Sequence, residues 1–433
     1  MQSLHPPQAR SGPVRRVAML SLHTSPLDQP GQGDAGGMNV YVLELSRRLA
    51  EQGVAVDVFT RATGPDEPAV IEAGPNVTVH AVAAGPRRDI AKADLADHVQ
   101  AFARAVARMR PRRGGYDLVH SHYWLSGLVG VELAVRWEVG LVHSMHTMAR
   151  VKNSALPSGA RPEPADRVAG ERRVVRASTA LIANTPDEAG DLAELYDADP
   201  RQIHVVPPGV DLEVFRPHAG GTAAARALLG LPIDATVLLF VGRLQPLKAP
   251  DLLLDAVAAL LKSRPQLRGR LVVPIVGAPS GDGVDESASV RDRARRLGVE
   301  DVVRFVPPLA HEALADWYVA ATLTCMPSRA EAFGLVALES QACGTPVLAA
   351  RVGGLPVAVD DGASGVLVDG HQPRVWAARL AALLDEPRRP DEMGRAAVKH
   401  AQAFGWTRTA EQTVAVYQAA TRRVPVADLA ASS

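Results

Sequence analysis

Short apolar runs alternate with longer amphipathic stretches along this chain, a rhythm that predicts strands and helices in turn. In the first half, residues 17–22, 54–60, 77–83, 118–122, 141–145, 180–183 and 203–206 are the strand candidates. Helical periodicity lies between them, notably over 40–52 with Gly53 as its stop, 93–109 and 187–196. Such alternation predicts an α/β parallel sheet. After Phe215, Arg216 and Pro217 the pattern loosens through Gly220, Gly221 and an Ala-rich patch. It restarts over 236–241, 271–276, 302–305, 323–326 and 347–350. Two such series predict two doubly wound, Rossmann-like domains facing a cleft, with ligands at the carboxyl ends of the strands. The last helical stretch, 407–420, lies beyond the second series and is placed to cross back onto the first domain. The expected division is a disordered lead-in over 1–13, a first domain over 14–215, a second over 216–405, and a crossing helix and tail over 406–433.

Composition narrows the picture without changing it. At 433 residues the chain exceeds one ordinary core, since a domain takes roughly 150 residues. Apolar residues make up 47% and charged residues 22%, a globular profile. The 47 basic and 47 acidic side chains cancel, so any anion site is local and neither nucleic acid nor an anionic membrane is the expected partner. Cys325 and Cys343 have neither the number nor the spacing for a disulfide framework or a zinc site, which fits a reduced, cytoplasmic location. The opening residues are rich in Pro, Gln, Ser and Gly and lack the apolar core of a signal peptide. No apolar run reaches the roughly 18 residues of a membrane span.

Four segments carry candidate chemistry. Residues 23–39, H-T-S-P-L-D-Q-P-G-Q-G-D-A-G-G-M-N, form a glycine-rich loop between an apolar strand and a helix. Gly36 and Gly37 permit close backbone approach, and the N–H groups of a helix from Met38 favour a phosphate. The same glycines also suit a surface loop that only turns. In F-V-G-R-L-Q-P-L-K-A-P, Arg243 and Lys248 follow a strand end, where a pair of fixed cations suits a diphosphate leaving group and two solvated surface cations are the plainer alternative. In P-S-R-A-E-A-F-G-L-V-A-L-E, Glu331 precedes a helix starting near Phe333 and Glu339 lies inside it. These carboxylates can accept hydrogen bonds from sugar hydroxyls, and Glu331 can equally be a helix-dipole partner. Paired glycines recur in A-R-V-G-G-L-P. No Walker loop occurs.

Four histidines invite a metal reading. His120 and His122 share one face of a strand and His143 and His146 lie close on the next, so four imidazoles could converge. No acidic residue or cysteine is near in sequence to complete a site, and histidines at strand ends can equally meet substrate hydroxyls. Tyr123 follows a strand's carboxyl end, which favours a ligand role over core packing.

Together the Glu331/Glu339 pair, the Arg243/Lys248 pair and the glycine-rich first loop resemble the retaining, two-Rossmann-domain (GT-B) glycosyltransferases of the sucrose synthase and glycogen synthase type. More narrowly, the first loop, S-H-Y-W-L-S-G over 121–127, H-T-M-A-R-V-K-N-S over 146–154, F-V-G-R-L-Q-P and A-R-V-G-G-L-P-V-A-V are similar to the D-inositol-3-phosphate glycosyltransferases of mycothiol biosynthesis. That resemblance, spanning about 14–417, implies transfer of N-acetylglucosamine from UDP-N-acetylglucosamine to 1D-myo-inositol 3-phosphate with retention, by a cytoplasmic homodimer. It implies acceptor contacts at His23, Asp34, Ala35, Gly36, Gly37, Met38, Asn39, Lys92, Tyr123, Thr147 and Arg167. Donor contacts are implied at Gln29, Pro30, Gly37, Arg243, Lys248, Leu309, Glu331 and Glu339. A magnesium ion is implied near Tyr318, Val319, Ala321 and Thr345, mostly through backbone oxygens, and no organic cofactor. Leu309 departs from the pattern, since some relatives carry Arg there, and Ala249 stands where Gly is usual.

No residue stands out as a covalent nucleophile. Front-face transfer follows, with Arg243 and Lys248 stabilising the leaving phosphate, His146 touching the sugar near its 6-hydroxyl, and Glu331 holding the sugar ring. An epimerase or hydrolase of the same donor, a sucrose-phosphate-synthase-like transferase and a non-catalytic sugar-nucleotide module are the alternatives.

Overall fold

The computed structural model describes residues 12–31, 33–156, 162–279, 286–386 and 388–422. Nearly all of the lead-in and the tail therefore lie outside the described residues.

The first sheet has eight strands: β1 (Arg16–Leu20), β2 (Ala55–Arg61), β3 (Val70–Gly74), β4 (Val77–Val82), β5 (Leu118–His122), β6 (Gly140–Ser144), β7 (Ala180–Ala183) and β8 (Ile203–Val205). Their order is β3-β4-β2-β1-β5-β6-β7-β8, and all ladders are parallel except that of β3 with β4. The second sheet, wholly parallel, runs β11 (Val303–Val306), β10 (Leu271–Val276), β9 (Thr236–Val241), β12 (Leu323–Met326), β13 (Val347–Ala350), β14 (Gly365–Val368). Strands β5 to β7 and β12 to β13 are buried at every position, because helices cover both faces.

Strand order reverses between β1 and β5 in the first sheet and between β9 and β12 in the second. Loops leaving neighbouring strands at such a point run to opposite faces and open a crevice. The glycine-rich loop leaves β1, Tyr123 follows β5, Arg243 and Lys248 follow β9, and Glu331 follows β12. Three of the four chemistry-bearing segments, and Tyr123, therefore leave the two switch points, while A-R-V-G-G-L-P follows β13.

Two strands and one helix differ from the sequence expectation. The edge strand β3 has no buried position and is interrupted by Glu72, and the strand β14 was likewise not expected. Residues 92–98 form a 3-10 helix before the α-helix Val99–Arg108, where a single helix over 93–109 was expected. Asp94 and Asp97 are poor helix formers, and of that turn only Leu95 is buried to hold it.

The helix Trp406–Arg422 returns to the first domain, where Trp406, Ala410, Val416 and Tyr417 pack with Tyr41, Val42 and Leu45. The chain thus passes between domains twice, side by side. The Val210 N–H donates to the Phe404 carbonyl (2.7 Å), and a Cβ on Gly209 would stand 2.5 Å from the Trp406 nitrogen. Both cysteines are buried and free, and no helix among the described residues is long and apolar enough to cross a membrane.

Candidate active site

The loop after β1 is locked by its own asparagine. Asn39 Oδ1 accepts the Gly36 N–H (2.9 Å), while its Nδ2 donates to Thr24 Oγ1 (2.7 Å) and to the Ser25 carbonyl. Asn39 is buried, so its side chain shapes the loop rather than facing the cleft. The helix Gly37–Glu51 starts here, and the loop lies against the second domain. Gln29 Nε2 donates to the Leu309 carbonyl (2.7 Å), a Cβ on Gly31 would meet Pro308 at 3.3 Å, and one on Gly37 would meet Leu335 at 3.4 Å.

A cationic corner gathers around Tyr123, which holds φ at +70° where β5 turns into the helix Tyr123–Trp137. Lys92 Nζ and the Arg167 guanidinium each lie 4.9 Å from the Tyr123 ring centroid, and the His23 ring lies 4.4 Å away. Arg167 is buried and held by Glu171 (2.8 Å), Glu163 (2.8 Å) and Thr147 Oγ1 (3.0 Å). Burial pushes Lys92 down to about 8; nearby Asp34 opposes this, and Arg243, Lys152 and Arg167 reinforce it. Burial, then Lys92, drives His23 well below the usual imidazole range and keeps it neutral. Asp34 Oδ1 stands 3.6 Å from Lys92 Nζ and 3.8 Å from Arg243 Nη1, linking the two cationic groups.

On the opposite wall, Lys248 Nζ meets Glu331 Oε2 at 2.5 Å. The Glu331 carbonyl accepts the Gly354 N–H (3.0 Å), and a Cβ on Gly353, where φ is +50°, would fall 1.9 Å from that oxygen. Only glycine fits there. The helix Leu335–Ala342 begins at Gly334, and within it Glu339 accepts a hydrogen bond from Tyr318 Oη (2.7 Å), with its carboxyl pushed up by burial.

One cavity of about 530 Å³ runs between the domains. It is lined by His23, Pro30, Asp34, Gly36, Gly37, Met38, Lys92, Tyr123, His146, Thr147 and Arg167 from one side, and by Arg243, Lys248, Leu309, Glu331 and Glu339 from the other. Gln29, Ala35 and Asn39 do not line it; they fix the loop that does. Sequence reasoning passed over Asn184 and Glu188, which also line the cavity. Glu188 accepts from the Asn184 backbone and side-chain nitrogens (2.8 Å each), and burial pushes its carboxyl up to about 7. The available signal was its place, just past the carboxyl end of β7.

The four histidines do not converge. The His120 and His122 rings lie 4.2 Å apart, tilted by 42°, and His122 Nδ1 lies 2.8 Å from His146 Nε2. His143 instead bonds Ser121 Oγ (2.8 Å), since successive strand residues point to opposite faces. Among the described residues no group of three or more His, Cys, Asp or Glu side chains could hold a metal. Tyr318, Val319 and Ala321 end the helix His311–Ala320, and Thr345 Oγ1 donates to the Tyr318 carbonyl (2.6 Å), which also accepts the Ala321 N–H. The four residues offer only neutral oxygens, with the Tyr318 carbonyl already engaged, and no carboxylate of the kind that usually anchors magnesium.

Two family models match the chain: Glycosyl transferase 4-like domain over residues 36–209, and Glycosyl transferases group 1 over 223–400. The D-inositol 3-phosphate glycosyltransferase of Kribbella flavida is 57% identical over 417 residues, 96% of this chain and 98% of its own. The chain belongs to the D-inositol 3-phosphate glycosyltransferase family. The Streptomyces scabiei member of that family is 58% identical over 94% of this chain and 91% of its own. Among solved structures, sucrose-phosphate synthase from Thermosynechococcus elongatus superposes with a TM-score of 0.85 at 32% identity, covering 93% of this chain and 98% of its own. Anabaena HepE in complex with UDP and glucose shares the fold, with a TM-score of 0.72 at 20% identity over 92% of this chain and 98% of its own. This glycosyltransferase family member therefore has the GT-B architecture.

Proposed function

We propose that the chain moves N-acetylglucosamine from UDP-N-acetylglucosamine to 1D-myo-inositol 3-phosphate, with the anomeric configuration retained, as the first step of mycothiol biosynthesis. The observation that carries this reading is the pair of cationic groups on either side of Asp34 in one cleft: Arg243 and Lys248 for a diphosphate, Lys92 and Arg167 for a phosphomonoester. The names of the relatives supply the acceptor, and the uridine-sugar ligands of the HepE structures support a UDP donor.

Arg243 and Lys248 neutralise charge that grows on the leaving β-phosphate as the sugar bond breaks. That phosphate lies on the face where the acceptor arrives, so it accepts the attacking hydroxyl's proton and the new bond forms on the same face. Glu331, fixed by Lys248, holds sugar hydroxyls, and Glu339 accepts from the ribose. No step is routed through magnesium.

The test is UDP release by the purified protein with UDP-N-acetylglucosamine or UDP-glucose as donor and a panel of acceptors. Inositol 3-phosphate with the N-acetylated donor is expected to be the best pair, and free inositol very poor. A preference for another sugar phosphate would replace this reading with a sucrose-phosphate-synthase-like one. UDP release without an acceptor would indicate a hydrolase.

A further inference from the structure

His146 sits in the left-handed region (φ +57°) just past the end of β6, lines the cleft, and has one hydrogen bond among the described residues. That bond joins its Nε2 to Nδ1 of His122 at 2.8 Å. Two imidazole nitrogens can share one hydrogen bond only if one carries the proton and the other does not. Burial drives both rings well below the usual imidazole range, His146 to about 3, so both are neutral and each has a single N–H.

The other nitrogen of His122 decides which ring donates. His122 Nε2 is closed to solvent and meets no hydrogen-bond partner among the described residues. A buried N–H without an acceptor loses its hydration and gains nothing, whereas a bare ring lone pair is the less costly orphan. His122 therefore carries its hydrogen on Nδ1 and donates it to Nε2 of His146. The single hydrogen of His146 then lies on Nδ1, the nitrogen with no hydrogen-bond partner among the described residues.

We infer that His122 is a positioning residue: its Nδ1–H fixes His146 in the Nδ1–H tautomer, so that His146 offers the cleft a hydrogen-bond donor, suited to an oxygen of the transferred sugar. The packing around the pair keeps it in place. The His120 ring packs against His122, held through its own Nδ1 by Tyr417 Oη (2.7 Å) and through Nε2 by Ser144 Oγ (3.0 Å). The Tyr41 ring meets both His122 and His146 edge-on, at 5.7 and 5.0 Å. Its chemical role rests on the donor reading above, but the tautomer does not, and the two are tested separately.

The direct measurement is long-range proton–nitrogen NMR on protein labelled with ¹⁵N-histidine, with His146 assigned by comparison with His146→Gln. A protonated Nδ1 and bare Nε2 in the substrate-free enzyme is the expected result, and a protonated Nε2 would overturn the proposal. Kinetics supply the second arm, because an asparagine amide places its nitrogen where Nδ1 of histidine stands. His122→Asn should keep the tautomer and most of the turnover. His122→Phe should lose about tenfold or more in kcat, as expected for one lost donor, with the Kd for UDP little changed. Equal losses in both variants, each folded as judged by circular dichroism, would mean that His122 only fills space and would refute the assignment. A correct tautomer with no turnover on UDP-N-acetylglucosamine would instead fault the donor reading alone.

Discussion

Lys248 and Glu331 form a pair at 2.5 Å, so neither can be read singly. Lys248→Ala removes a charge-assisted contact to the leaving phosphate of about 1.5–3 kcal/mol, or roughly 10- to 150-fold in kcat/KM, and leaves Glu331 without its cation. Lys248→Ala combined with Glu331→Gln should therefore lose less than the product of the single losses, and a double-mutant cycle in kcat/KM reads that coupling. Lys92 yields a pH prediction. Held near 8, below the ordinary 10.5 of lysine, it is charged under pH 8 and loses its proton above it. The kcat/KM for inositol 3-phosphate should accordingly fall as pH rises through about 8, and Lys92→Arg, which stays charged, should abolish the fall. Lys92→Ala should raise the KM for the phosphorylated acceptor, leave the Kd for UDP nearly unchanged, and narrow the preference over free inositol. At this scale the sequence was informative where residue type sets the chemistry: Arg243, Lys248, Glu331 and Glu339 were nameable from their place beside strand ends, whereas Lys92 and Arg167 were implied only by the family resemblance. It was silent on Asp34 as the link between Lys92 and Arg243, and on Glu188, because a carboxylate's partners depend on which loops meet across space.

Loops at the strand ends carry the site, and their glycines set its tolerances. A Cβ at Gly353 would fall inside the Glu331 carbonyl, and one at Gly277, where φ is +152°, would fall 2.0 Å from the Gly242 carbonyl. Gly353→Ala is expected to cost about 1–3 kcal/mol of stability by thermal unfolding and to weaken UDP binding, since the Glu331 backbone must move. The elements themselves were legible wherever burial on both faces made an apolar run, as in β9, with its 237–241 stretch, and β10. They were not legible where an edge strand is unburied and carries a charge at its centre, as Glu72 in β3, nor where two aspartates turn an expected α-helical start into a 3-10 turn at Lys92. That turn matters, because it presents Lys92 to the cleft.

Across the whole molecule, the helix Trp406–Arg422 braces the first domain from behind the histidines. Tyr417→Phe leaves buried His120 Nδ1 without its partner and should lower stability by about 1–3 kcal/mol in denaturant unfolding, with kcat close to wild type. The pairing of two Rossmann-like sheets was legible from the restart of the strand rhythm after Pro217. The contact of the first loop with Pro308 and Leu309 was not, since nothing in local sequence specifies how two domains face each other. The side-by-side passage of the chain at Val210 and Phe404 has a further consequence for recombination. The second domain is an insertion within the first, entering and leaving through one narrow neck. A chimera that takes its nucleotide-sugar half from a relative therefore needs two splice points, one near Gly209 and one near Gly405. A single crossover would graft on a foreign final helix and mismatch Trp406 and Tyr417 against the wrong core.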